Sequence, residues 1–356
     1  MSRRILVTGG AGFVGSSLAL RLKRGEPASH VIAFDNLHRR GSELNLARLR
    51  QGGVEVCHGD VRVESDLRAF GDRLDLVLEC SAEPSVMAGR TSSSRYAVDT
   101  NLSGCVNCLE LAKDANAALI FLSTSRVYPV AALQQLRYET VGRRFQLMAD
   151  QPVPGAGVKG ISEAFPLHGV RTLYGATKLA AELLIAEYVD MYGLRAAINR
   201  CGVISGPWQM GHAEQGVFAF WMLSHVLRRP LRYIGFGGQG HQVRDVLHID
   251  DLTDLVERQI DREAELDGLV VNCGGGAGCS ASLAEFTGLC EQLTHAGLEI
   301  GSDPRTRPGD VPVYVTDNRR VTEHYGWHPT RTVDDVAASL HAWIVEHRQL
   351  LETSLA

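Results

Sequence analysis

The sequence has no apolar run long enough to cross a bilayer: the longest in the middle of the chain, Val217 to Leu223, is seven residues, against the roughly 18 that suggest a spanning helix. It has no run of lysines and arginines either. With Lys plus Arg at 36 against Asp plus Glu at 41, the formal charge is -5, which argues against nucleic acid or an anionic membrane surface as the main partner. The first residues, Met1 to Arg4, are basic but lead through Ile5 to Val7 straight into glycines, without the apolar core of a signal peptide, so a cytoplasmic protein is expected. A disulfide framework is also missing. The eight cysteines, at 57, 80, 105, 108, 201, 273, 279 and 290, fall mostly inside apolar runs and read as buried thiols. Cys105 and Cys108 form one CxxC, but with no second pair and no nearby histidine they read as helix-core residues, and no metal is expected. Internal repeats and low-complexity tracts are absent.

What is present is a globular chain of 356 residues, 45% hydrophobic, long enough for two domains or one large α/β unit with an extension. Its first half alternates short aliphatic runs with helical stretches. Strands are expected at Arg4 to Thr8, His30 to Asp35, Val54 to His58, Leu74 to Leu78 and Ala118 to Ser123. Helices are expected at Gly15 to Arg24, Ser42 to Gln51, Glu64 to Arg73 and Asn101 to Ala115. Continuous apolar strands joined by right-handed crossovers make an α/β fold, a doubly wound (Rossmann) parallel sheet with helices on both faces. From Tyr128 to Thr172 the pattern loosens, and Pro152, Pro154, Gly155, Gly157 and Gly160 predict a long loop without regular structure that serves as a substrate lid. Helical periodicity returns at Tyr174 to Tyr192. The expected division is a nucleotide-binding domain over 1–200 and a smaller substrate-binding region over 201–356 that returns some elements to the first.

Thr8-Gly9-Gly10-Ala11-Gly12-Phe13-Val14-Gly15 follows the first strand and opens the first helix. Glycines at 9, 12 and 15 permit a tight turn and close approach of a pyrophosphate to the backbone, and the helix N-terminus supplies N–H groups. Asp35 ends the second strand 20 residues past Gly15, where a carboxylate accepts the hydroxyls of an adenosine ribose. That combination predicts dinucleotide binding, and Asp35 favours NAD because it would repel the 2′-phosphate of NADP. Gly59-Asp60-Val61 follows the third strand, where Asp60 can meet the adenine amino group.

Tyr174-Gly175-Ala176-Thr177-Lys178 is YxxxK at a helix start, and i,i+4 spacing puts phenol and ammonium on one face. A phenol titrates near pKa ~10, so Tyr174 acts as a base near neutrality only if Lys178 and an oxidised nicotinamide stabilise its anion. Ser123-Thr124 closes another strand, and Thr124 would hydrogen-bond the hydroxyl being oxidised.

These motifs resemble the extended short-chain dehydrogenase/reductase family over nearly the whole chain. Asn101 in Val98-Asp99-Thr100-Asn101, Gly206-Pro207, Gln242 to His248 and Arg307-Pro308-Gly309-Asp310 belong to the same pattern. The resemblance implies an NAD-dependent enzyme acting on a nucleotide-diphosphate sugar, with Phe13, Val14, Ala82 and Asn101 among its cofactor contacts. It further implies that Arg244 contacts the diphosphate and that Arg307 and Asp310 hold phosphate and nucleotide ribose, work suited to a planar guanidinium fork. Family members often form homodimers through a four-helix contact. Phe34-Asp35-Asn36-Leu37, Ser123 to Tyr128 and Glu214-Gln215-Gly216 are similar to the family's 2-epimerases of CDP-sugars. That likeness brings Asn36, His38 and Arg39 to the cofactor, and Arg126 and Gln215 to the substrate.

Departures from the pattern bear on substrate. Val203 and Ser205 stand where many relatives carry Asn and Tyr. Glu83, in Ser81-Ala82-Glu83-Pro84-Ser85, stands where the 2-epimerases carry an uncharged polar residue, and is a candidate sugar contact. The family's 4,6-dehydratases need an acidic pair after the catalytic Thr, but Ser125-Arg126 follows Thr124 here. A 4-epimerase uses the same Tyr, Lys and Thr and stays open, as does a reductase that exchanges NAD(P) each cycle. A silent NAD-binding sensor has no use for an intact Tyr174 and Lys178.

Overall fold

Five aliphatic segments form the first strands, β1 (Arg4–Thr8), β2 (His30–Asp35), β3 (Glu55–His58), β4 (Leu76–Glu79) and β5 (Ala118–Thr124). The computed structural model describes residues 2–71, 73–90, 92–211 and 216–354. Around the strands lie α1 (Phe13–Gly25), α2 (Leu46–Gln51), α3 (Glu64–Arg68), α4 (Ser94–Val98), α5 (Gly104–Asp114), α6 (Val130–Gln134) and α7 (Leu173–Tyr192). Adding Ala196–Cys201 and Val270–Cys273 gives a seven-stranded sheet in the order Val270–Cys273, Ala196–Cys201, β5, β4, β1, β2, β3. The pairs from β5 across to β3 are parallel. This is the Rossmann-like α/β architecture expected from the alternating pattern. All seven residues of β5 are buried, as are all four of β4, because a parallel sheet covered on both faces excludes water from both sides of each strand.

The chain runs β1, β2, β3 to one side, then places β4 on the other side of β1. The strand order therefore reverses between β1 and β4, and ligands of open α/β sheets bind outside the carboxyl ends of the strands at such a point. Thr8 is the register partner of Glu79 there.

The chain divides into two compact units. The first comprises 1–127, 172–200 and 253–271; the second comprises 128–171, 201–252 and 272–356. The core of the first is built from Leu6, Ile32, Phe34, Val77, Leu119 and Phe121 of the sheet, packed with Cys105, Cys108 and Leu109 of α5 and Ala181 and Ile185 of α7. Cys105 and Cys108 are fully buried in that core. In the second, Phe218, Trp221 and Met222 pack with Phe286 and Cys290, and with Val336, Leu340 and Trp343. Val203–Ser205, Val243–His248, Ser280–Ser282 and Val313–Tyr314 form a four-stranded sheet in this unit.

Three expected elements differ in detail. The run expected as one helix from Asn101 begins earlier, with α4, and contains a π-helical turn at Asp99–Ser103 before α5. The expected helix Glu64 to Arg73 stops at Arg68, and Gly71 follows in a left-handed conformation (φ +63°). Residues 128–172, expected to be without regular structure, are corrected: they hold α6, the hairpin Tyr138–Val141/Arg144–Leu147 and the ribbon Ala156–Gly157/Gly160–Ile161. The hairpin turns through Gly142 (φ +58°) and buries Phe145 and Leu147 in alternation, a period-two pattern masked by the prolines and glycines beyond it.

Candidate active site

Three of the strands that converge on the switch region end in a polar residue: β2 in Asp35, β4 in Glu79 and β5 in Thr124. The loop after β1 supplies the floor. Gly9 is left-handed (φ +62°), and a Cβ there would stand 2.8 Å from the carbonyl oxygen of Cys80; one on Gly15 would stand 2.2 Å from the carbonyl oxygen of Gly9. Only glycine fits this turn. Gly12 is the N-cap of α1 and carries no side-chain cap, and Phe13 and Val14 open the helix with no acidic residue in its first turn. The N–H groups of that turn are thus left for an anion.

Asp35 accepts hydrogen bonds from the N–H of Ala11 (3.0 Å) and Leu37 (2.8 Å), which fix its carboxylate beside the glycine turn. Burial raises its pKa against the opposing pull of those N–H groups. Asn36 donates through Nδ2 to Asp60 (2.9 Å), and Arg62 adds a forked contact. Burial alone would raise Asp60, but Arg62 and Asn36 outweigh it and hold the carboxyl at about 2. Beside them the rings of His38 and Tyr96 lie 4.5 Å apart, and the guanidinium of Arg62 sits 4.6 Å from the Tyr96 ring centre. Val61 is buried, and its carbonyl accepts from Asn107. Asn36, His38, Asp60 and Val61 are therefore gathered in one neighbourhood.

Asn101 sits in the π-helical turn and spends its side chain on the protein. Its Oδ1 accepts from the N–H of Glu83 (2.7 Å), while Nδ2 donates to the Glu83 carbonyl and to Thr177 Oγ1, both at 3.1 Å. It pins the segment holding Ala82 and Glu83 to α7. Glu83 in turn accepts from the N–H of Ser85, and its charge acts on the guanidinium of Arg39, whose pKa desolvation lowers.

Tyr174 and Lys178 lie one turn apart on α7, which starts at the N-cap Thr172 and packs against β5 and the turn Ser125–Val127. Thr124 is buried and its Oγ1 accepts from the N–H of Arg126. Thr124 thus closes the strand on which the helix bearing Tyr174 and Lys178 packs, a junction of strand end and helix. Lys178 is 1% exposed; its Nζ is 3.4 Å from Glu79 Oε2 and 4.2 Å from the ring centre of Phe121. Burial pulls the lysine down, but Glu79, with Tyr174 and Cys105 adding to it, outweighs that pull and the net pKa stands above the ordinary value. The sequence reading ended the fourth strand at Leu78 and missed Glu79. A lone carboxylate closing an apolar parallel strand was the available signal.

Arg244 and Asp310, in the second unit, form an ion pair at 2.7 Å, and Arg244 also donates to the carbonyls of Val243 and Val311. The N–H of Asp310 donates to the carbonyl of Arg307, whose own side chain is exposed. Ser205 is buried and donates to Gln209. Gln215 lies outside the described residues. Among the described residues no group of three His, Cys, Asp or Glu side chains is placed to hold a metal ion, and no helix is long and apolar enough to cross a membrane.

The model of the NAD dependent epimerase/dehydratase family matches residues 5–274, and the chain belongs to that family of enzymes, whose cofactor is NAD. Among individual proteins, it is 29% identical over 351 residues to CDP-paratose 2-epimerase of Salmonella typhi, covering 96% of this chain and 98% of the relative. It is 28% identical to a dTDP-glucose 4,6-dehydratase of Mycolicibacterium smegmatis, covering 92% and 89%. The solved UDP-glucuronic acid 4-epimerase of Bacillus cereus, described in complex with UDP-glucuronic acid and NAD, superposes with a TM-score of 0.79 at 22% identity, covering 96% and 99%. The residues present fit a dinucleotide: the turn at Gly9 and Gly15 has no room for a Cβ, and the uncapped helix start faces it.

Proposed function

We propose that this chain is a nucleotide-sugar epimerase that inverts C2 of a CDP-sugar through a transient ketone, without net redox change. The observation that carries this is the junction of Thr124 with the Tyr174–Lys178 pair at the end of the strand beside the switch point, followed by Ser125-Arg126 where an elimination would need an acidic pair. Full-length likeness to a 2-epimerase supports the choice of carbon and base.

Bound NAD would supply a reversible hydride acceptor for the carbinol carbon, the redox chemistry that no side chain provides. Tyr174 takes the proton of the hydroxyl on that carbon and later gives it back, so protons and electrons balance over the cycle. Lys178 stabilises the tyrosinate, and Thr124 orients the hydroxyl. Asp35 receives the adenosine ribose, Asp60 with Asn36 and Val61 borders the adenine, and His38 and Arg39 lie along the ribose. Gly9, Gly12, Phe13, Val14 and Gly15 hold the pyrophosphate, with Ala82 and Asn101 shaping the wall. For the sugar nucleotide, Arg244, Arg307 and Asp310 take the phosphates and ribose, while Glu83, Arg126 and Gln215 contact the sugar. Because Arg244 and Asp310 are already paired, substrate binding must open or share that contact.

The second reading is a 4-epimerase, which uses the same Tyr, Lys and Thr on a different carbon. The deciding experiment is mass spectrometry of the small molecules released on denaturing fresh protein. Near-stoichiometric NAD with a cytidine nucleotide sugar is expected. An empty site, or NADP that washes away, sinks the redox-neutral reading, and a uridine sugar moves the assignment to the 4-epimerase. Tyr174→Phe should retain NAD and lose turnover by about a thousandfold, within the range general base catalysis supplies.

A further inference from the structure

Glu79 is a buried ionisable group that touches Lys178 and has been given no part in the reaction. It ends β4 at the switch point, 1% exposed, with Oε2 3.4 Å from the equally buried Lys178 Nζ and with Oε1 lacking any hydrogen-bond partner. The groups that face this pair come from every element around it. Tyr174 shares α7 with Lys178, Cys105 and Cys108 face inward from α5, Cys80 follows on the chain, and Phe121 of β5 and Thr8 of β1 are neutral. Burial pushes the Cys105 and Cys108 thiols up, so they stay protonated. Burial pushes the Glu79 carboxyl above its ordinary value while Lys178 pulls it back, and the two face each other as a buried pair.

We propose that Glu79 is a positioning residue for the Tyr174–Lys178 pair: its buried carboxylate is the counter-ion that draws the Lys178 ammonium to the end of β4 and so fixes where it stands relative to Tyr174. The inference rests on the epimerase reading above. An epimerase takes up and releases no proton over its cycle, unlike a reductase, which consumes one from water each turn. A lysine closed off from water and tied to a buried carboxylate suits the first chemistry, because the proton Tyr174 removes is the one it returns. Glu79 also sets how readily Tyr174 ionises. With the carboxylate present, its negative charge opposes that of the tyrosinate; without it, the tyrosinate is the one anion facing Lys178.

The test uses NAD-loaded protein with no sugar present. The near-ultraviolet tyrosinate absorbance of wild type is titrated against pH, with Tyr174→Phe subtracted to isolate the one phenol, and the titration is repeated with Glu79→Gln. The expected result is a downward shift of about one pH unit, tenfold in the ionisation constant, accompanied by the same shift in the acid limb of kcat while KM moves less than about twofold. An unmoved or upward-shifted titration overturns the proposal. Should Glu79→Gln fail to fold, the double variant Glu79→Gln/Lys178→Gln decides: recovery of a cooperative melting transition supports the counter-ion role, and a double variant no more stable than the single overturns it. Tyr174→Phe with full turnover would instead remove the epimerase reading itself, a failure separable from one at Glu79.

Discussion

Asp245, at the heart of the second unit, illustrates how far burial moves a single carboxyl. It is fully buried, and its Oδ2 accepts from the N–H of Gly276 and of Thr316, yet desolvation outweighs these bonds and lifts its pKa to about 6. An acid whose folded pKa exceeds its unfolded one holds its proton more tightly when folded. Its stabilising contribution is therefore full below the unfolded value of 3.8 and is lost as the pH rises through about 6. Relative to Asp245→Asn, which cannot titrate, wild type should lose about 3 kcal/mol of stability across that window, measured by denaturant melts at a series of pH values. A constant difference between the two proteins would show that the carboxyl does not titrate there. The residues that sequence alone made legible are those whose chemistry demands a fixed spacing, such as Tyr174 with Lys178 and Gly15 with Asp35. Glu79 escaped because its meaning comes from the register of β4 and β1 and from a lysine 99 positions away, neither of which any local pattern carries.

Elements tell the same story through their boundaries. The first helix begins where the glycine turn ends, and its uncapped start depends on the backbone passing within van der Waals range of itself. Gly15→Ala would place a methyl 2.2 Å from the Gly9 carbonyl oxygen, so the turn must open. The expected outcome is loss of NAD from the purified protein with the remaining fold intact, read as an absent cofactor peak and an unchanged far-ultraviolet circular dichroism spectrum. A Gly15→Ala variant that still copurifies with NAD would show that the turn tolerates a side chain. The parallel strands were legible because burial on both faces leaves unbroken aliphatic runs. Residues 128–172 were not, because the hairpin at Tyr138–Leu147 is short and the proline-rich stretch after it dominates the composition. The π-helical turn at Asp99–Ser103 was likewise invisible: its extra residue is fixed by Asn101 reaching both Glu83 and Thr177, tertiary contacts with no periodic trace. Such turns recur at functional positions.

For the molecule as a whole, α7 carries Tyr174 and Lys178 near one end and exposed apolar side chains further along, with Leu183 64%, Met191 63% and Tyr192 52% accessible. The homodimer that family resemblance implies would give Leu183, the most exposed of the three, a place to be covered. Leu183→Glu should convert a dimer into a monomer on light-scattering chromatography, with NAD still bound; a wild type that is monomeric at every accessible concentration would remove that expectation. The chain's route between its two units has a further consequence. It passes from one to the other at 127/128, 171/172, 200/201, 252/253 and 271/272. A single genetic crossover therefore cannot exchange one unit while leaving the other whole.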